Sequence, residues 1–142
     1  MEKPQVLLLT HGGWGMSLLN GIQMILGSVD FVHEIPLQPA STLSEYLTAV
    51  KEYAVTLPKG SLILTDIFGG TTTNVAVKVG RELGIKVFTG LNAPLLLSAC
   101  SQIQFSEVLD MNEVIESGKD SIKDAIEEVL KSLQKKGGEQ NG

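Results

Sequence analysis

The sequence predicts an α/β fold: an open, mostly parallel, doubly wound sheet with helices on both faces. Three observations carry that expectation. Short apolar runs alternate with stretches of helical periodicity, and Gly- and Pro-containing turns separate them. The first run, Gln5-Val-Leu-Leu-Leu-Thr10, is continuously apolar, as a strand buried on both faces must be. Strands spaced by helices form βαβ units, and those make parallel sheets.

Each element follows in order. From about Ser17, the residues Leu18, Leu19, Ile22, Ile25 and Leu26 fall at helical spacing, and Gly27 is placed to end that helix. Asp30-Phe-Val-His-Glu-Ile35 reads as the second strand, with Pro36 and Pro39 punctuating a loop after it. Ser41 or Ser44 stands ready to cap a helix that carries Leu43, Leu47, Val50 and Tyr53 on one face. Pro58-Lys-Gly60 is a turn, and Ser61-Leu-Ile-Leu-Thr65 is the third buried strand. The loop Asp66-Ile-Phe-Gly-Gly-Thr-Thr-Thr-Asn74 leads into a helix to about Leu83, closed by Gly84. Lys86-Val-Phe-Thr89 is a fourth strand, and Asn92-Ala-Pro94 opens a helix, since Pro suits a first turn. From Gly118 onward, Asp120 to Gln134 reads as an amphipathic helix with Ile122, Ala125, Ile126, Val129, Leu130 and Leu133 as its apolar stripe. The chain is thus expected to be one domain over residues 1–134, with a flexible polar tail over 135–142.

Composition narrows the class. Hydrophobic residues make up 43% of the chain and charged residues 19%, so a packed core is expected rather than disorder. The net charge of -5, with no basic run, speaks against a nucleic-acid or anionic-membrane footprint. Cys100 is the one cysteine, so no internal disulfide framework exists and an oxidising compartment is not implied. Val6 to Leu9 is far too short to cross a bilayer and lacks the h-region of a signal peptide. The expected location is the cytoplasm.

Right-handed crossovers put every βα loop at the same, carboxyl edge of the sheet, where sites form in such flavodoxin-like folds. Two loops there are unusual. In Thr10-His-Gly-Gly-Trp-Gly15, His11 follows the first strand directly and is flanked by glycines that let a large partner approach. It reads either as a hydrogen-bonded loop residue or as an acid, base, ligand or nucleophile. Asp66 ends the third strand, which in doubly wound sheets can neighbour the first. It reads either as a turn or cap residue, or as the carboxylate that fixes the His11 tautomer and frees its other nitrogen.

Gly69, Gly70, Thr71, Thr72, Thr73 and Asn74 supply backbone N–H groups, hydroxyls and a helix N-terminus, which suits a phosphoryl group. This is not a P-loop, because no Lys follows the glycines. Gly13 and Gly15 match the start of a dinucleotide fingerprint, but Leu18 stands where its third glycine is required. Cys100 reads as a small core residue, His33 as structural or surface-exposed, and no metal cluster emerges. Trp14 and Phe68 read as protein-docking anchors or as covers for the sheet end.

These motifs resemble the IIA component of the mannose-type (mannose/fructose/sorbose) branch of the bacterial phosphoenolpyruvate-dependent sugar phosphotransferase system. The resemblance spans about residues 5 to 133. It is carried by Leu7-Leu-Leu-Thr-His-Gly12, by Asp66-Ile-Phe-Gly-Gly-Thr-Thr-Thr-Asn74 and by Gly90-Leu-Asn-Ala-Pro-Leu95. It implies that His11 accepts a phosphoryl group from the phosphocarrier HPr through Nε2, with Asp66 bonded to Nδ1, and hands it to a IIB component. It implies further that the hydroxyl and backbone N–H groups around Thr71 receive the phosphoryl oxygens, and that no cofactor or metal takes part. The expected phosphate-binding residues are then Gly12, Gly69, Gly70, Thr71 and Thr72, and Trp14 and Phe68, from their loop positions, are the expected docking residues. The resemblance also implies a homodimer without direct membrane insertion, associated with the membrane IIC and IID components through IIB. Because the chain ends soon after its last helix, the IIB partner is expected to be a separate polypeptide.

Ile67, Phe68 and Thr71 depart from the family pattern, where polar, tryptophan and serine residues occur, but His11 and Asp66 are intact. Two other functional classes stay open at this stage. One is a sensor that uses the same phosphorylation to report sugar flux. The other is a nucleotide- or flavin-binding domain, which the missing fingerprints count against.

Overall fold

The computed structural model describes residues 2–141, with side chains for 2–137. Its elements are β1 (Val6–His11), α1 (Gly15–Leu26), β2 (Val32–Leu37), α2 (Leu43–Ala54), β3 (Leu62–Thr65), α3 (Thr71–Leu83), β4 (Lys86–Phe88), α4 (Ala93–Ser106), α5 (Met111–Lys119) and α6 (Ala125–Asn141). The four strands form one sheet in the order β2-β1-β3-β4, and every pairing is parallel. The expected α/β architecture is therefore present.

The alternation of side chains along β1 builds two core layers from one strand. Val6 and Leu8 face one layer with Leu19, Ile22, Leu96, Ile103 and Val114, from α1, α4 and α5. Leu7 and Leu9 face the other with Tyr46, Val50, Val75 and Val79, from α2 and α3. Residues Val6 to Leu9 are all fully buried, which explains why this strand carries no polar alternation. Cys100 lies in the first layer, and burial pushes its thiol up to about 12, so it is a core residue.

Several boundaries differ from the sequence reading for identifiable reasons. β2 runs through Pro36 to Leu37, because an edge strand needs its ladder bonds on one side only. Thr42 caps α2, not Ser41 or Ser44: its hydroxyl accepts from the Glu45 N–H at 3.1 Å. α3 begins at Thr71, so the threonines belong to its first turn rather than to a loop.

α5 is a helix that the sequence reading lacks. Asp110 caps it by accepting from the Glu113 N–H at 3.2 Å, and its short apolar face is Val114. Gly118 ends up inside α5, not at the head of the last helix. A Cβ at Gly118 would lie 2.8 Å from Leu95 Cδ1, so the bare backbone lets α5 close on α4. Gly118→Val is therefore expected to lower the unfolding free energy by about 1–3 kcal/mol through overpacking, measured by urea denaturation.

α6 starts at Ala125, capped by Asp124, and continues to Asn141 through the residues expected to form a polar tail. Its apolar stripe is real, but the chain does not cover it: Ile126, Val129, Leu130 and Leu133 are each more than half exposed. Periodicity marks a face that favours cover. It does not say what supplies the cover.

Candidate functional site

β1 and β3 are hydrogen-bonded neighbours, with Leu9 paired to Thr65. Their carboxyl ends therefore deliver His11 and Asp66 to the same spot. Gly12 and Gly13 turn the chain away after His11 with φ of 72° and 87°, a left-handed pair that side-chain-bearing residues rarely adopt. The turn is pinned by the Gly12 N–H, which donates to the Leu37 carbonyl at 2.8 Å.

Asp66 is the hub of the site. Its Oδ2 accepts from the His11 N–H at 2.7 Å, from His11 Nδ1 at 2.9 Å and from Trp14 Nε1 at 3.3 Å. Its Oδ1 accepts from the Ile67 N–H at 2.9 Å and from the Thr72 hydroxyl at 2.8 Å. Burial pushes this carboxyl upward. The His11 amide and ring, the Thr72 hydroxyl and the charge of the His11 ring outweigh that and hold it at about 2. At neutral pH the carboxylate is thus ionised and can only accept, so the hydrogen on His11 must sit on Nδ1. In the neutral ring the lone pair is then on Nε2.

Folding holds Asp66 below its ordinary 3.8, so its ionised form stabilises the fold above about pH 4. That stabilisation, about 2 kcal/mol from the size of the shift, is lost as pH falls through 2. The stability gap between wild type and Asp66→Asn is expected to shrink by about that amount between pH 5 and pH 2 in urea titrations. A gap independent of pH would contradict it.

His11 presents its other nitrogen to the outside, with 46% of its side chain exposed, while the Asp66 side chain is only 1% exposed. On that open side stands the N-terminus of α3. Gly70 is its cap residue and offers no side-chain cap bond. A Cβ on Gly70 would lie 3.3 Å from His11 Cε1 and 3.7 Å from Nε2, so the glycine keeps the space beside the ring clear. Gly69, with φ of 85°, brings the chain into this approach.

The three threonines divide the work. Thr72 spends its hydroxyl on Asp66, and Thr73 is tied to Thr65, to the Ile67 carbonyl and to Thr89. Thr71 is half-buried, and its hydroxyl makes no hydrogen bond among the described residues. Phe68 is 82% exposed and Ile67 60%, which makes an apolar rim beside His11. Trp14 is partly exposed at 40% while its indole N–H stays on Asp66.

Two features escaped the sequence reading. Glu34 on β2 accepts from the Thr10 hydroxyl and from the N–H groups of Gly15 and Met16, so it braces the His11 loop from behind. Its signal was an acid in line with Val32 on a strand face that otherwise packs in the core. The Trp14 bond to Asp66 left no sequence trace. His33 stacks on Tyr53 with ring centroids 4.1 Å apart, on the exposed edge strand and apart from the site. Among the described residues no cluster of three or more His, Cys, Asp and Glu side chains gathers to hold a metal.

A family model described as the PTS system fructose IIA component matches residues 5–119. The chain belongs to that family. Among solved structures, a phosphotransferase system component EIIA from Streptococcus agalactiae is 27% identical to this IIA chain with a TM-score of 0.75, over 84% of this chain and 95% of its own. A mannose/sorbose-specific IIA subunit from Enterococcus faecalis is 23% identical with a TM-score of 0.70, over 85% and 93% of the two chains. A PTS IIA protein associated with the fucose utilization operon of Streptococcus pneumoniae is 22% identical with a TM-score of 0.74, over 91% and 99%. At these last two identities the likeness concerns the fold. A comparison with curated proteins found no match. No described helix is long and apolar enough to cross a membrane.

Proposed function

We propose that this IIA component is a histidine phosphotransferase of the sugar phosphotransferase system, working in the cytoplasm. It takes a phosphoryl group from phospho-HPr onto His11 Nε2 and passes it to a IIB component. The observation that carries the reading is the 2.9 Å bond between His11 Nδ1 and an Asp66 carboxylate held ionised by five donors. Such a partner selects the tautomer with a free Nε2 and stabilises the cationic ring that forms when that nitrogen attacks.

In the transfer, the Nε2 lone pair forms the new P–N bond while the P–N bond to the donor imidazole breaks and its electron pair leaves with that ring. The hydrogen on Nδ1 stays in place against Asp66. Donor and acceptor are both phosphohistidines, so little driving force is needed and catalysis is positioning plus electrostatics. The N-terminus of α3, at Gly70 and Thr71, cradles the phosphoryl oxygens with backbone N–H groups and the free Thr71 hydroxyl. Thr72 contributes through Asp66, and Gly12 through the turn that presents the ring. Half-exposed, His11 suits a partner protein that completes the site from outside, and Phe68 with the open face of Trp14 supplies the apolar contact. A homodimer is the assembly that the bare α6 stripe supports.

The test is transfer of labelled phosphoryl from phosphoenolpyruvate through the first enzyme of the system and HPr. Acid-labile label is expected on the wild type and none on His11→Ala. Label that persists in the variant would overturn the proposal.

A further inference from the structure

Glu34 is an acid placed on an apolar strand face. In the register of β2 with β1, Glu34 pairs with Leu8 and Val32 with Val6, and Val6 and Leu8 belong to the core layer beneath α1. A carboxylate there is costly unless its oxygens find donors. Three meet it. The Thr10 hydroxyl and the Gly15 N–H, the latter at 2.7 Å, share Oε2, and the Met16 N–H reaches Oε1 at 3.3 Å.

Those donors bracket the nucleophile. Thr10 immediately precedes His11, while Gly15 and Met16 open α1 after the His11-Gly12-Gly13-Trp14 turn. One carboxylate thus ties both ends of the loop to the edge strand. Gly15 has to be bare for this, since a Cβ there would run into the carboxylate and sit 3.0 Å from Leu8 Cδ1.

The same contacts decide between two helix ends. The cap residue of α1, Trp14, makes no side-chain cap bond, and Glu34 fills that role with a negative charge, which favours a helix N-terminus. The place an incoming anion would take at α1 is therefore occupied from within the chain. At α3 the cap residue is Gly70, and among the described residues no side chain accepts from the first N–H groups of the helix.

We infer that Glu34 is a positioning residue for phosphoryl transfer: it sets the His11 loop and closes the α1 N-terminus, which leaves α3 to receive the phosphoryl group. The inference rests on His11 being the acceptor.

Glu34→Leu removes both acceptors at similar size, and Glu34→Gln keeps one carbonyl oxygen. The experiment measures single-turnover phosphorylation by phospho-HPr at rising donor concentration, beside 1H–15N NMR of the His11 ring and of the Gly15 and Met16 amides. In Glu34→Leu the limiting rate is expected to fall at least about tenfold, with the half-saturating donor concentration within about twofold and the His11 ring signals shifted. Glu34→Gln is expected to recover part of the loss, with a limiting rate about threefold below wild type and smaller shifts of the same signals.

Folded Glu34→Leu that transfers at the wild-type limiting rate would overturn the inference. So would a loss that follows only the folded fraction while the ring signals stay put. Where Glu34→Leu does not fold, Glu34→Gln decides: displaced loop and ring signals with a rate about threefold down support the inference, and wild-type values overturn it. A His11→Ala control separates the two readings. Label on that variant sinks the acceptor assignment, whereas label confined to His11 with unaltered rates in the Glu34 variants sinks the positioning role alone.

Discussion

Asp66→Asn is expected to slow phosphorylation of His11 by about 10²–10³-fold while the protein stays folded. Asp66 offers two oxygens to five donors, three on Oδ2 and two on Oδ1. An amide offers one oxygen and one donor group. Turned with its NH2 toward His11, it meets the His11 amide and the Trp14 indole as a donor facing donors. The ring then holds its hydrogen on Nε2, which blocks the nucleophile. Turned the other way, it sets the NH2 against the Ile67 N–H and loses the loop that leads to Gly70. Either orientation removes the charge that stabilises the ring after attack. Stopped-flow transfer from phospho-HPr measures the loss, and circular dichroism checks the fold. An unchanged rate would take Asp66 out of the mechanism.

Gly70→Ala carries the second large effect, a decrease of about tenfold in transfer rate. The backbone tolerates the change: φ is -91° and ψ is 174°, ordinary extended values for any residue. The new methyl instead stands 3.3 Å from His11 Cε1 and 3.7 Å from Nε2, on the side where a phosphoryl group must fit. The ring is held from behind by Asp66 and has little room to retreat. The cost thus falls on chemistry more than on stability, and comparing urea midpoints with transfer rates in one preparation separates the two. Equal rates for Gly70→Ala and wild type would place the phosphoryl group elsewhere.

The meeting of His11 and Asp66 was legible in the sequence because topology brings the two together. A buried run ending in His11 and a second ending in Asp66 place both residues at the carboxyl edge, and β1 lies beside β3. What was legible in Gly69 to Asn74 was a composition suited to a phosphoryl group. Which threonine keeps a free hydroxyl was not, because that depends on helix phase: α3 begins at Thr71, and this turns Thr72 and Thr73 inward. Trp14 illustrates a similar gap, since a docking face and an inward N–H occupy one side chain.

Glu34 was hidden for a different reason. An acid in line with Val32 was the one sequence signal, but periodicity treats an acid in a strand as solvent-facing, and the register with Leu8 places it under α1. α5 escaped because its apolar face is short, although Asp110 and Glu113 spelled out its cap. The last helix was legible as amphipathic. Its stripe of Ile126, Val129, Leu130 and Leu133 then proved bare, because periodicity records a preference and not a partner.

In the proposed transfer, Nε2 of His11 receives the phosphoryl group while Nδ1 stays protonated against Asp66. Nitrogen-15 NMR of the phosphorylated protein, with phosphorus-31 coupling to identify the bonded nitrogen, tests it most directly. Coupling to Nε2 of His11 and a hydrogen retained on Nδ1 are the expected result. Phosphorus bonded to Nδ1, or to any residue other than His11, would contradict it.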